Sequence, residues 1–207
     1  MPIRKGESWG RTVDRPEGLV TLSTDADVAA SVSVQGTEQS GPPIFVGAGD
    51  LARTLGAGPP DRVRLSELPI DLVDVRLDGA ELAIPACAHV VMRSPWWRGG
   101  WFRGPIVLVM NAEFLGRWDV APRGHPNDGR VEVVAAGPEL SVRQRIAAWR
   151  RLPTASHVPH PAISTRSVKR DRWTFRRPVA VRVDGRTMGR ASTVEVDVIA
   201  DAGIVHA

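Results

Sequence analysis

The stretch IVLVMNAEFLGRWDVAPRGHPNDGRVEVV, Ile106 to Val134, decides how the rest of the chain is read. A β-branched apolar run ends in Asn111, and a connector rich in Gly, Pro, Asn and Asp follows. The connector closes on Asn127-Asp128-Gly129, after which apolar and polar residues alternate toward Val134. Short apolar runs bounded by such turn residues are strand signals. The same pattern recurs in IDLVDVRLDG, ACAHVVM, PVAVRVDG and TVEVDVIA. Many short strands with Gly, Pro and Asp at their ends predict antiparallel pairing in a sandwich or barrel from Ile70 onward.

One helix interrupts the strands. In SVRQRIAAWRRLP, Ser141 and Gln144 stand at capping-box spacing, Val142, Ile146 and Trp149 share one face, and Pro153 ends the run. Upstream the pattern is different. Ile44 to Val46 reads as a buried strand, Gly47-Ala48-Gly49 as a turn, and Asp50 as the N-cap of a helix running to about Leu55, closed by Gly56. In GLVTLSTDADVAASVSV, a strand and turn precede a segment that suits a helix or a strand equally. Met1 to Glu17 reads as a loose, Gly/Pro-punctuated lead-in. The expected class is therefore α+β, mainly β: a short α/β unit over 1–69 and an antiparallel β-sandwich over 70–207.

Composition bounds the function. With 207 residues and 43% hydrophobic content, the chain can bury a core. Its 27 basic residues include only two lysines, Lys5 and Lys169, and it has no Tyr, a bias that suggests a GC-rich bacterial genome. A net charge of +4 permits attraction to phosphates without making the chain a polycation. Cys87 is the single cysteine, so an internal disulfide framework is excluded. No apolar run has the length of a membrane span and no signal peptide is read at the start. The expected location is the cytoplasm, with peripheral membrane contact.

The opening stretch resembles a segment of the diacylglycerol kinase family of lipid kinases. There a strand ending in Asn leads through a Gly turn and an Ala-Pro step to an Asp-Asp-Gly turn and an alternating strand; here these are Asn111, Gly116, Ala121-Pro122 and Asn127-Asp128-Gly129. Other landmarks fall in order. GAGDLARTLG, Gly47 to Gly56, resembles the family's Gly-Thr-x-Asn-Asp-Phe-Ala-Arg-Thr-Leu-Gly segment; IDLVDV, Ile70 to Val75, resembles its Ile-Asp-Leu-Gly strand; and VRVDGR, Val181 to Arg186, resembles its terminal Val-Asp-Gly-Glu. The resemblance implies an α/β nucleotide-binding domain followed by a β-sandwich, with ATP and lipid meeting in the cleft between them. It implies catalytic positions at Asp71 and Asp184, nucleotide-side positions at Asp25 and Asp50, and a structural Mg²⁺ at Asp128. A carboxylate with backbone carbonyls is suitable for a hard cation.

The departures point away from catalysis. STDAD, Ser23 to Asp27, falls on the family's Gly-Gly-Asp-Gly-Thr phosphate loop and keeps only Asp25, although backbone N–H groups reach phosphates most closely through glycines. Asp27 adds a carboxylate where phosphates would lie. Gly49 and Gly47 replace a polar Asn and Thr, and Arg186 replaces a Glu thought to act at the reacting hydroxyl; a guanidinium is no general base. The family also has more chain ahead of its phosphate loop. These features predict a degenerate relative, a pseudoenzyme, that binds a lipid or a phosphorylated small molecule; the alternative is an active ATP-dependent lipid kinase.

Each site residue also has a plainer reading. Asp128 would simply suit a turn, Asp50 would cap its helix, Asp71 would face solvent from a half-buried strand, and Asp184 would shape an Asp-Gly hairpin. Cys87, His89, His157 and His160 offer Cys-x-His and His-x-x-His pairs for zinc, at a spacing that is not standard. SPWWRGGWFRGP, Ser94 to Pro105, would serve as an interfacial loop, as a base-stacking surface, or as a hairpin filling the core or a homodimer contact. RSVKRDRWTFRRP, Arg166 to Pro178, reads as a solvated strand face or a phosphate-binding surface. Nucleic acid is the weakest partner expectation, since only these two patches speak for it.

Overall fold

The structure is a computed structural model that describes residues 9–35, 41–158 and 160–207. Its elements in chain order are β1 (Arg11–Asp14), β2 (Val20–Leu22), α1 (Asp25–Gln35), β3 (Ile44–Val46), α2 (Asp50–Leu55), β4 (Arg64–Leu77), β5 (Ile84–Ala86), β6 (His89–Arg93), β7 (Ile106–Met110), β8 (Phe114–Leu115), β9 (Trp118–Asp119), β10 (Val131–Ala136), α3 (Val142–Arg151), β11 (Ile163–Val168), β12 (Arg170–Val183) and β13 (Arg186–His206). The class is α+β and mainly antiparallel β, as the strand periodicity predicts. The loose lead-in lies partly outside the described residues; its later part is a strand, β1, paired with β4.

One sheet runs in the order β1-β4-β13-β12-β6-β7-β10-β11, with every neighbouring pair antiparallel. β2 and β3 join its β13 side as a parallel pair, where His206 meets Phe45. The sheet curls until its distant strands touch. Asn111, just after β7, donates through Nδ2 to the Asp71 carbonyl at 3.1 Å, although three strands separate β7 from β4 in the pairing order. Period-two alternation drives this closure, because each strand turns one set of side chains inward. Val73, Val75, Met92, Val109, Val133, Val181, Val194 and Val196 form one buried cluster. Full burial of each such side chain contributes about 1.5–3 kcal/mol.

β4 serves two cores. Ile70 and Leu72 face the α/β layer, packing with Val28 and Val32 of α1, Ile44 and Val46 of β3 and Leu51 of α2, whereas Val73 and Val75 join the inner β cluster. β4 starts at Arg64 and passes position 70 without a break. The open choice in the 18–34 segment resolves as a strand followed by a helix: Thr24 Oγ1 accepts from the Asp27 N–H at 3.2 Å and starts α1. α3 carries the capping box read from the sequence, with Ser141 and Gln144 bonded reciprocally. Its buried side differs from the expected apolar face. Val142 and Trp149 are each about two-fifths exposed, while Arg145 is buried. The Arg145 guanidinium donates to the carbonyls of Leu140, Trp101, Gly104 and Gly137; the bonds to Trp101 and Gly104 hold α3 to the 94–105 hairpin, and the other two fix the segment that leads into α3.

Candidate functional site

A cavity of about 420 Å³ opens between the α/β layer and the β-rich body, lined by Asp25, Asp50, His89, Arg117, Arg182 and Asp184 among others. Its carboxylates and its imidazole come from four places in the chain. Asp25 begins α1, Asp50 begins α2, His89 begins β6, and Asp184 sits in the hairpin between β12 and β13.

Asp25 does not point into a phosphate loop. Its carboxylate turns onto the start of α2, accepting from the N–H groups of Asp50 at 2.8 Å and Leu51 at 3.0 Å. Asp25 therefore caps α2, and the expectation that Asp50 is the N-cap is corrected: the flanking residue is Gly49, with no side-chain cap of its own. Gly49 has a physical reason to be glycine. Its φ is +110°, and a Cβ there would stand 2.2 Å from Asp25 Oδ1. The polar side chain that the resemblance leads one to miss at position 49 would collide with this cap.

Released from capping, Asp50 uses Oδ1 to accept from the Gly116 N–H at 2.8 Å, and Oδ2 lies 3.4 Å from His89 Nδ1. Burial pushes the Asp50 carboxyl up to about 6; the Gly116 N–H opposes this and Asp25 adds to it. His89 is held down to about 4, first by burial and then by Arg182, so its ring is neutral near pH 7. Asp25 is also raised by burial, against the pull of its two N–H partners.

Asp184 adopts φ +45° ahead of Gly185 at +78°, the geometry of a tight Asp-Gly hairpin turn. Its side chain does more than shape the turn. It is buried and accepts from three consecutive backbone N–H groups, Cys87 at 2.8 Å, Ala88 at 3.0 Å and His89 at 2.8 Å. Burial nevertheless pushes its carboxyl up to about 6. Asp184 thereby fixes the backbone that carries His89.

Asp71 is elsewhere. It is fully buried, neither in the cleft nor facing solvent, and its carboxylate accepts from the Gly129 N–H at 2.6 Å, the Asp201 N–H at 2.8 Å and Asn127 Nδ2 at 3.3 Å. It ties the Asn127-Asp128-Gly129 turn to the bulge in β13 between Ile199 and Gly203. Both readings of Asp71 are corrected for one reason: it lies on the inward side of β4 with Val73 and Val75. Asp128 is half-buried in the same turn, its Oδ1 accepting from the Arg130 N–H at 2.9 Å, while the Pro126 carbonyl accepts from the Asp71 N–H. The four residues read as possible zinc ligands do not gather. Cys87 Sγ donates to the Asp25 carbonyl, His157 lines a separate apolar cavity, and His160 sits in a turn with Ile163. Among the described residues, the one group of three or more ligating side chains is Asp25, Asp50 and His89.

That apolar cavity, about 320 Å³, lies between α3 and the outer face of β7 and β10. Trp101 and Trp118, stacked edge to face with centroids 5.7 Å apart, line both cavities. The sequence groups Trp101 with the other aromatics of its loop and gives no signal for Trp118 of β9, Arg182 of β12 or Arg145 of α3, which reach these cavities only through the folded chain.

No family model matches the chain, and no curated protein matches it. Solved structures do. A "putative diacylglycerol kinase" from Bacillus anthracis str. Sterne is similar over 91% of this chain and 77% of its own, with a TM-score of 0.64 and 11% identity. Two further structures from the same organism, one with the same description and one described as a diacylglycerol kinase, match over 91% of this chain with TM-scores of 0.62 and 0.61 and identities of 12% and 11%. The chain has the diacylglycerol-kinase fold. Within that fold, Asp25, Asp50 and Asp184 meet at one cleft, and Asp71 and Asp128 stand together at another corner. Among the described residues no helix is long and apolar enough to cross a membrane.

Proposed function

We propose that this is a diacylglycerol-kinase-like protein without phosphoryl transfer, which holds a lipid with its polar head in the acidic cleft and its chain in the cavity beneath α3. The observation that carries the reading is the shared wall, Trp101 and Trp118, by which a cavity carrying Asp25, Asp50, Asp184, Arg117 and Arg182 adjoins an apolar one. Amphipathic ligands need that pairing. Arg117 and Arg182 at the cleft are suited to a phosphorylated head group. Trp96 (78% exposed), Trp97 (55%) and Phe102 (46%), with Arg98 and Arg103 beside them, are suited to docking on an anionic bilayer.

Loss of transfer follows from how the residues on the phosphate-loop positions are used. Asp25 caps α2, and Asp27 pairs with Arg186, the residue that replaces the family's Glu. Asp27 thus puts a carboxylate in the first turn of α1, where an anion would otherwise be drawn to the N–H groups, and its own N–H is taken by Thr24 Oγ1. Calorimetric titration with ATP and Mg²⁺ is expected to show no binding, while short-chain diacylglycerol shifts the tryptophan emission at micromolar concentration. Micromolar ATP affinity would sink the degenerate reading.

A second reading, an active lipid kinase, is favoured by the Asp50 and Asp184 carboxyls pushed up to about 6 at the cleft, a range suited to general base work. It requires transfer from ATP to diacylglycerol that Asp50→Asn abolishes. A Mg²⁺ at Asp128 belongs to either reading and is tested by Mg²⁺ protection that Asp128→Asn removes.

A further inference from the structure

We infer that Asp25, Asp50 and His89 bind a divalent transition-metal ion, with His89 Nδ1 as the nitrogen ligand. One ligand atom from each residue lies within 4.8 Å of the other two, close enough for small rotations to bring all three onto an ion at ordinary ligand distances. An acidic pair alone would not carry this. The decisive group is His89, which is 5% exposed and whose Nδ1 has no hydrogen-bond partner. A buried ring nitrogen without a partner is costly, and this one faces Asp50 Oδ2 at 3.4 Å.

The surroundings resemble those of a formed ligand set. The oxygens of Asp25 are oriented by the Asp50 and Leu51 N–H groups, and Asp50 Oδ1 by the Gly116 N–H, which leaves Oδ2 turned toward the ring. His89 is held through its own N–H by Asp184. Such outer contacts fix first ligands in place. Gly49 keeps the approach to Asp25 free of a side chain, and the adjoining 420 Å³ cavity leaves room for water or a ligand oxygen on the open side. One imidazole with two carboxylates favours ions such as Zn²⁺, Mn²⁺ or Co²⁺ over Mg²⁺, which takes oxygen. This site is distinct from the Asp128 turn, and it does not depend on the lipid reading, because the ion is titrated without lipid or nucleotide.

The test is titration of the full chain with Co²⁺, followed by visible absorption, together with electron paramagnetic resonance of the Cu²⁺ form. One equivalent of saturable Co²⁺, undisplaced by excess Mg²⁺, and coupling to a single imidazole nitrogen are expected. Affinity should fall at least about tenfold in His89→Gln and in Asp50→Asn and stay unchanged in Glu195→Gln, at an exposed pair with Arg172. If His89→Gln fails to fold, Asp50→Asn and the wild-type nitrogen coupling decide. No binding at millimolar Co²⁺, no nitrogen coupling, displacement by Mg²⁺, or undiminished binding in Asp50→Asn overturns the inference. Failure here would leave the lipid and ATP titrations untouched.

Discussion

Two buried acidic corners divide this molecule, and they differ in one respect. At the Asp71 corner, the carboxylate accepts from Gly129, Asp201 and Asn127, groups contributed by chain segments far apart in sequence. At the cleft, Asp50 Oδ2 and His89 Nδ1 face each other across 3.4 Å with no hydrogen bond between them. A buried polar group whose partners are all supplied by the protein is scaffold, whereas one left incomplete beside an open cavity is available to a ligand. Burial raises the carboxyl in both places, so a shifted pKa does not separate them. The donors on the Asp71 and Asp50 carboxylates do, three against one.

The largest test of this contrast is Asp71→Ala. It strips the acceptor from the backbone N–H groups of Gly129 and Asp201 at a fully buried side chain, and the expected loss is at least about 3 kcal/mol in urea unfolding. A loss no greater than that of a surface substitution would show the corner to be no scaffold. Asp71→Asn sharpens the point through pH. The unfolded carboxyl ionises near the ordinary 3.8, and the folded one, raised chiefly by burial, keeps its proton to higher pH. Between those values the folded state binds more protons, so this group makes stability fall as pH rises through the window and level off above it. The Asn variant should lack that fall, read as denaturation midpoints from pH 4 upward.

Asp25→Ala ranks next, because Asp25 belongs to both categories. Its carboxylate caps α2 from α1 while lining the cleft. The cap is worth about 1–2 kcal/mol, and its loss should appear as faster amide exchange at Asp50 and Leu51 with the β body unaffected. Uniformly faster exchange would mean that the cap supports more than one helix.

Much of the fold was legible in the sequence because its strands are Val-rich, alternate cleanly, and end at Asp-Gly and Gly-Pro turns. The Ser141 capping box and the Gly56 helix stop are local chemistry, and local chemistry can be read locally. The site was legible only in part. Asp25, Asp50 and Asp184 were singled out through resemblance, but the partner that turns Asp25 from a loop residue into a cap lies 25 positions away. The inward side of Asp71 depends on how β4 is shared by two cores, and Arg145 became buried because four carbonyls converge on it. No window of sequence contains these facts. His89 was read with Cys87, its neighbour in sequence; the fold gives it Asp50 instead.

The smallest expected effect concerns Asp27 and Arg186, two departures that looked independent in sequence and meet as an ion pair at the cleft rim. Thr24 holds the Asp27 carboxyl below its ordinary range more than Arg186 does, and the side chains of the pair are about half exposed. Exposed pairs couple weakly and are screened by salt. A double-mutant cycle of Asp27→Asn and Arg186→Gln should therefore give a coupling near the limit of measurement at low salt that vanishes as salt rises. What the pair should change is recognition. With Asp27→Thr and Arg186→Glu together, the first turn of α1 loses a carboxylate and the rim loses its guanidinium, yet Ser23, Thr24 and Ala26 still stand where the family has glycines. ATP titration of this double variant should remain silent. Measurable ATP binding would mean that the rim pair alone closes the site to nucleotide, and that Ser23, Thr24 and Ala26 are no barrier.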